Sequence, residues 1–449
     1  MIEKKADPSI ERQQIKISMK GMSDKVQKDY VNSVGINPVV YYNGLHIQQD
    51  DVKTLNLDST GFIPTFSMTF KDSSKLLHEK GFPLDDSNVS IFINPRIDGL
   101  EPIALQFKIT EFEVANKNSG DNMFNMEGVL DVDYLYVQKG FAIKKKTSYE
   151  ALKGIAVEAK LGFASNINST NDNMTWINPG DEGSSFIKEI VDNAYSSDSA
   201  FMWAFVDLYY YLNYIDIEVA IEEDIASQQT IMNSPITVEP GNEEKTAQGP
   251  LILTNDISMK DHNTFFESFE ILNQSTKNSL KYGYKKRIYY YDRSGNWDKK
   301  AGSFNIFEID SISTPGAENR SLILKGKPED MTFYKSNIKN KYVGKLDKDN
   351  MYVDYPYAST QNKQNVIDLQ KVVVELTMPT PNFHLYRYQK VQIVFSNQST
   401  GPTTSQINQR LSGHWLITGI SYKFSQKAGN KQIVTMVKRE LNDVGDIAK

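Results

Sequence analysis

Residues 201–216 read FMWAFVDLYYYLNYID, and the way this run is read decides the fold. A membrane-spanning helix needs about 20 apolar residues in succession, and here Asp207, Asn213 and Asp216 interrupt the run. Alternate positions are more telling. Met202, Ala204, Val206, Leu208, Tyr210, Leu212 and Tyr214 form an unbroken apolar row. The other row begins Phe201, Trp203, Phe205 and then mixes Asp207, Tyr209, Tyr211, Asn213 and Ile215. A period of two in aromatic and branched side chains marks a pleated strand. The expectation is one long strand, buried on both faces at its start and on one face further along.

The same texture recurs upstream. From Pro38, VVYYNGLHI carries the pair Asn43-Gly44 between apolar stretches, a tight-turn signal. IPTFSMTF, VSIFINP, IALQFKITEFEV and MFNMEGVLDVDYLYV follow, separated by Gly, Pro, Asn and Asp clusters, as in a sandwich or small barrel. Thr147-Ser-Tyr-Glu150 has the spacing of a capping box. Leu152, Ile155, Ala156 and Ala159 then share a helical face, and Gly162 stands where a left-handed C-cap belongs. A second helix is expected from about 184 to 195, with Phe186, Ile187, Ile190, Val191 and Ala194 as its stripe.

Downstream, KRIYYYDRSGNWDKKAGSFNIFEID and SLILKGKPE read as strands, the first with a hairpin loop at Asp292–Asn296. QKVVVELTMPTPNFHLYRYQKVQIVF gives two more, and GHWLITGISYKF with KQIVTMVKREL forms a hairpin around Ser425 to Asn430. The fold class is thus mainly β (α+β): two antiparallel β-barrel, tube-like domains with a small helical insert and loop-rich insertions. The divisions are a polar N-terminal arm over 1–35, a first barrel over 36–140 and a helical insert over 141–200. The second barrel is assembled from 201–223, 281–330 and 366–449, with insertions at 224–280 and 331–365.

Composition narrows the function. The chain of 449 residues suggests roughly two to four domains. Its 39% hydrophobic residues can bury a core, and a net charge of −6 argues against a static grip on nucleic acid. Cysteine is absent, which removes disulfides, thiolate nucleophiles and cysteine metal sites. The N-terminus carries no apolar core of a secretory signal, so cytoplasmic synthesis is expected. The histidines (His46, His78, His262, His384 and His414) never fall at helical zinc spacing. No nucleophile elbow, phosphate-binding or dinucleotide-binding glycine motif occurs. Asp347-Lys-Asp349 opens like a calcium loop but lacks its glycine, with Met351 where a ligand belongs. Acidic pairs such as Asp85-Asp86 and Glu222-Glu223 read as solvated turns. The tyrosine triplets at 209–211 and 289–291 suit cross-strand packing better than a sugar face. No catalytic residue, cofactor site or metal site is expected.

Three stretches carry a resemblance: TSYEALKGIAVEAKLGF, NDNMTWINPGDEGSSFIKEIVDNAY and FMWAFVDLYYYLNYIDI. Together they resemble the middle of baseplate hub proteins of contractile-tailed, T-even-like bacteriophages, most specifically at TWINP and YLNYID. GHWLITGISYKF…NKQIVTMVKREL is similar to the closing hairpin of those hubs, and IPTFSMTFKD…VSIFINP…LQFKITEF to their first barrel. The arm before 36 and the excursions at 224–262 and 331–365 have no counterpart.

The resemblance implies two similar barrels per chain and a homotrimeric ring, a structural part of the virion that adapts a sixfold tail tube to a threefold central spike. It implies as partners the spike, the tail tube protein, wedge proteins of the baseplate and the tape-measure protein. DNA would pass transiently, without stable nucleic-acid binding or membrane insertion. Candidate interface loops are Phe82-Pro83-Leu84 and Thr380-Pro381-Asn382. The alternatives are the hub of an injection or secretion machine that passes no DNA, a cell-wall glycan hydrolase and a carbohydrate-binding β-protein.

Overall fold

The computed structural model describes residues 5–6, 10, 35–73, 75, 87–95, 101–116, 122–222, 252–254, 265–274, 285–290, 305–310, 332–335, 371–397, 406–439 and 441, and ten positions between 352 and 370. It is mainly β, with few helices. Thirteen strands form one sheet, in the order Ser268–Asn273, Val372–Met378, Gly429–Lys438, Gly413–Ser425, Val52–Ser59, Thr65–Lys71, Asn122–Leu130, Ile103–Asn116, Asn88–Ile93, Val39–Tyr42 and Leu45–Ile47. Lys390–Val394 and Ile252–Thr254 branch from Gly413–Ser425.

The N-terminal unit follows from alternation. Phe66, Met68 and Phe70 of Thr65–Lys71 are buried while the residues between them are half-buried. Phe70 stacks on Phe124, and Phe66 lies 4.9 Å from Phe107. Asn43 and Gly44 both take positive φ, the twist that lets Val39–Tyr42 turn tightly into Leu45–Ile47. In the C-terminal unit, the ring of Phe269 on the outermost strand lies 4.8 Å from Phe395, just past Lys390–Val394. The two ends of that half of the sheet therefore curl toward each other.

The helical unit confirms the capping box. Thr147 accepts the Glu150 amide, the Glu150 carboxylate accepts the Thr147 amide, and the helix runs Ser148–Glu158. Its left-handed residue is Lys160, not Gly162. Gly162 instead opens a strand and is glycine for space, since a Cβ there would stand 2.4 Å from the Tyr211 ring. The second helix, Gly183–Asp192, buries Phe186, Ile187, Ile190 and Val191.

The run at 201–216 corrects the reading of a single strand. It is a hairpin, Met202–Val206 against Tyr211–Asp216. The Asp207 carboxylate accepts the amides of Tyr209 and Tyr211, and Tyr210 takes a φ of 60°. The hairpin pairs through Tyr211–Asp216 with Gly162–Ser165 of the helical unit, not with the C-terminal unit, which moves that boundary past 216. Its other face packs on the C-terminal unit: Phe201, Phe205, Ile215 and Ile217 share a core with Leu369, Tyr388, Leu416 and Val437.

Pairing also reassigns other segments. Ile252–Thr254 and Ser268–Asn273, expected within an insertion, join the large sheet. Lys285–Tyr290 and Asn305–Asp310, expected in the second barrel, form a separate sheet with Thr332–Lys335. Asp292–Asn296 and SLILKGKPE lie outside the described residues.

Candidate assembly surfaces and the junctions behind them

The two β units meet where Val52–Ser59 lies antiparallel to Gly413–Ser425, in register from Ile420 opposite Ser59 to Ser425 opposite Thr54. Ladder hydrogen bonds join the main chains of the two units along this stretch. The carboxylate of Asp58 accepts the Ser421 hydroxyl at 3.0 Å and the Thr60 amide at 2.9 Å, which fixes the turn that leaves the seam. Gly419 lets that turn approach, since a Cβ would stand 2.7 Å from the Thr60 methyl.

The helical unit is attached through side chains. Asn362 donates from Nδ2 to the carbonyls of Val191, Asp192 and Ala194, at 3.1, 3.4 and 2.9 Å. These carbonyls lie at and just past the C-terminal end of Gly183–Asp192, where intrahelical donors run out. Its Oδ1 accepts the Met202 amide at 3.2 Å. Gln361 donates to the Asp198 carbonyl and Tyr352 to that of Asn193. The stretch 331–365, read as an excursion, thus contributes the fastening of the helical unit. Past the hairpin, Arg439 pairs with Glu218, and Lys390 donates to the Ile221 carbonyl at 2.7 Å.

Two carboxyls are enclosed within this unit. Asp172 accepts Ser148 and Tyr195 amides and the Thr170 hydroxyl at 2.7–2.9 Å. Burial raises its carboxyl above the usual range, and those hydrogen bonds pull it back. Ser148 and Tyr214 share a 2.7 Å hydrogen bond beside it. Both are fully buried, so this Ser–Asp–Tyr group has no substrate access and organises the helix start instead. Asp216 accepts the amides of Phe201 and Glu218, and burial pushes it up to about 6.

Among the described residues, the sheet edges are candidate surfaces for partners. Ser268–Asn273 and Leu45–Ile47 end the main run of the sheet, and Ile252–Thr254 ends its branch. Phe269 and Leu272 stand 42% and 54% exposed on the Ser268–Asn273 edge, on opposite faces of the strand. The edge carries no proline or lysine to blunt it. Of the candidate loops, Phe82-Pro83-Leu84 lies outside the described residues. Thr380 is half-exposed, while Pro381 and Asn382 are buried. The main chain of Asn382 is held by the Gln432 side chain at 2.6 and 3.1 Å. The edge strand is the surface that sequence reading missed; its SFEILN alternates weakly, and only its position at the end of the sheet reveals it.

Among the described residues no group of three or more metal-ligating side chains converges, and no helix is long and apolar enough to cross a membrane. No family model matches the sequence. No curated protein matches it significantly. Solved structures do. The 43 kDa tail protein of prophage MuSo2 from Shewanella oneidensis aligns over 90% of this chain and 99% of its own, with TM-score 0.55 and 9% identity. A tail protein from Neisseria meningitidis MC58 aligns over 90% and 97%, with TM-score 0.51 and 11% identity. A component of the type VI secretion system of E. coli aligns over 87% and 75%, with TM-score 0.42 and 9% identity. The chain has the fold of phage tail proteins.

Proposed function

We propose that this chain is the structural hub of a contractile tail, a ring of three copies joining a sixfold tail tube to a threefold spike. The observation that carries the reading is a single polypeptide in which two antiparallel β units share one thirteen-stranded sheet. Its fold is shared along nearly the whole of a phage tail protein. Two units per chain and three chains give six seats. Closed rings are the usual outcome of repeated head-to-tail contacts, and the edges at Ser268–Asn273 and Leu45–Ile47 are where one copy meets the next. Tube, wedge, spike and tape-measure proteins are then its neighbours in the virion. The net charge of −6 keeps a passing polyanion from adhering. The chain acts by shape and carries no chemistry of its own.

The test is the mass of the purified full chain at micromolar concentration, alone and with its spike. A trimer in either condition supports the hub. A monomer in both overturns it. Leu272→Lys on the exposed edge is expected to leave the thermal midpoint of the lone chain within a degree or two and to abolish the trimer.

A further inference from the structure

Arg387 is 5% exposed, and its guanidinium is spent on the main chain. Nε donates to the Thr418 carbonyl at 2.8 Å, Nη1 to that of Gly61 at 2.6 Å and Nη2 to that of Thr60 at 3.0 Å. Its plane lies over the Phe205 ring, 4.3 Å from the centroid, and Phe205 in turn meets the Tyr388 ring at 5.3 Å. These partners come from all three units. Thr60 and Gly61 form the turn leaving the N-terminal unit at the seam. Thr418 belongs to the C-terminal unit, and Phe205 to the hairpin of the helical unit.

Each carbonyl is free for a reason. The register of Gly413–Ser425 against Gly429–Lys438 shifts between Ile417 and Gly419, a bulge just before the seam that turns Thr418 out of that ladder. Thr60 and Gly61 lie past the last ladder pair of Val52–Ser59. The same turn also accepts the Val206 amide at the Phe62 carbonyl, 2.8 Å away. Burial works against the charge; Tyr388 beside it and, to a smaller extent, Asp58 and Asp207 favour it. A buried cation has to be fully hydrogen-bonded to be tolerated. The flat fork of arginine meets three divergent acceptors and still offers its face to a ring, which an ammonium cannot do.

We infer that Arg387 is a positioning residue that fixes the mutual orientation of the two β units and the helical unit. The ladder at the seam sets which strands pair, but a two-strand junction leaves twist and bend free. The guanidinium ties the turn of one unit to the bulge of the next and clamps the hairpin over both. This holds for the single chain, whether or not copies assemble.

The chain lacks cysteine, so spin labels can be placed at His46→Cys and Glu270→Cys, on the two opposite edges of the sheet. They would be measured in the full chain diluted with unlabelled protein. A narrow distance distribution is expected with Arg387, broadened about twofold or more in Arg387→Met and by less in Arg387→Lys. Unchanged widths in both variants overturn the inference. Should Arg387→Met fail to fold, Arg387→Lys decides through amide hydrogen exchange. The Val206 amide is expected to exchange about tenfold faster, while the Ala151 amide, in the first helical turn away from the junction, keeps its rate. Equal acceleration at both amides, or none at Val206, overturns it.

Discussion

Where Val52–Ser59 lies against Gly413–Ser425, six residue pairs run in register, and the junction of the two β units is built on a main-chain ladder, to which the Asp58–Ser421 bond and Arg387 are added at its end. Where the helical unit meets the rest, no ladder joins it to the large sheet and side chains do most of the joining: Asn362, Gln361 and Tyr352 near the second helix, Arg439 and Lys390 near Glu218 and Ile221. A ladder tolerates many side chains as long as the pleat alternates. A side-chain clamp depends on a single group. The first kind of junction therefore fails by loss of core, and the second by loss of one amide or one charge.

The comparison can be broken at four places. Leu57 is buried on the seam strand, opposite Tyr422 and Phe66. Leu57→Ala is expected to cost about 3 kcal/mol in denaturant unfolding, and the polar exchange Ser421→Thr on the same ladder far less. Asn362→Ala removes a donor to three carbonyls and an acceptor for the Met202 amide, for about 2 kcal/mol. Proteolysis should then cut within the helical unit first. Cleavage there at the wild-type rate would show that the clamp is redundant.

The third probe is pH. Burial raises the Asp216 carboxyl from 3.8 to about 6, so the folded chain binds a proton that the unfolded chain releases. The stability this contributes is present in full below about pH 4 and is lost as pH rises through about 6. Asp216→Asn keeps an acceptor for the Phe201 and Glu218 amides. It should flatten the stability profile across that window and be at least as stable as the wild type at pH 7.5. An unchanged slope would place the titrating group elsewhere. The smallest effect belongs to Arg439 and Glu218, both only partly exposed. A double-mutant cycle with Arg439→Gln and Glu218→Gln should return a coupling of about 1 kcal/mol.

What could be read in advance divides along the same line. Short-range signals were legible: the capping box at Thr147 and Glu150, the Asn43-Gly44 turn, the alternation of Phe66, Met68 and Phe70, and the closing hairpin. The run 201–216 misled for a geometric reason. Val206 pairs with Leu212, and paired residues of an antiparallel hairpin share a face. Because both positions are even, the apolar row passes unbroken through the turn, and two strands look like one. The junctions were not legible. Asn362 and Arg387 bond to carbonyls 168 and 327 residues away, and a carbonyl is offered by every residue alike. The exposed edge at Ser268–Asn273 was hidden for a related reason: being last in a sheet is a property of the order of strands, which no local stretch carries.

One consequence of the shared sheet concerns dilution. Two separate barrels would associate with some affinity and part below it. Joined in one polypeptide, the pair faces itself at a fixed local concentration, and no fall in abundance inside a cell can separate its members. Stoichiometry between the two is then written into translation itself: one to one, however few copies are made.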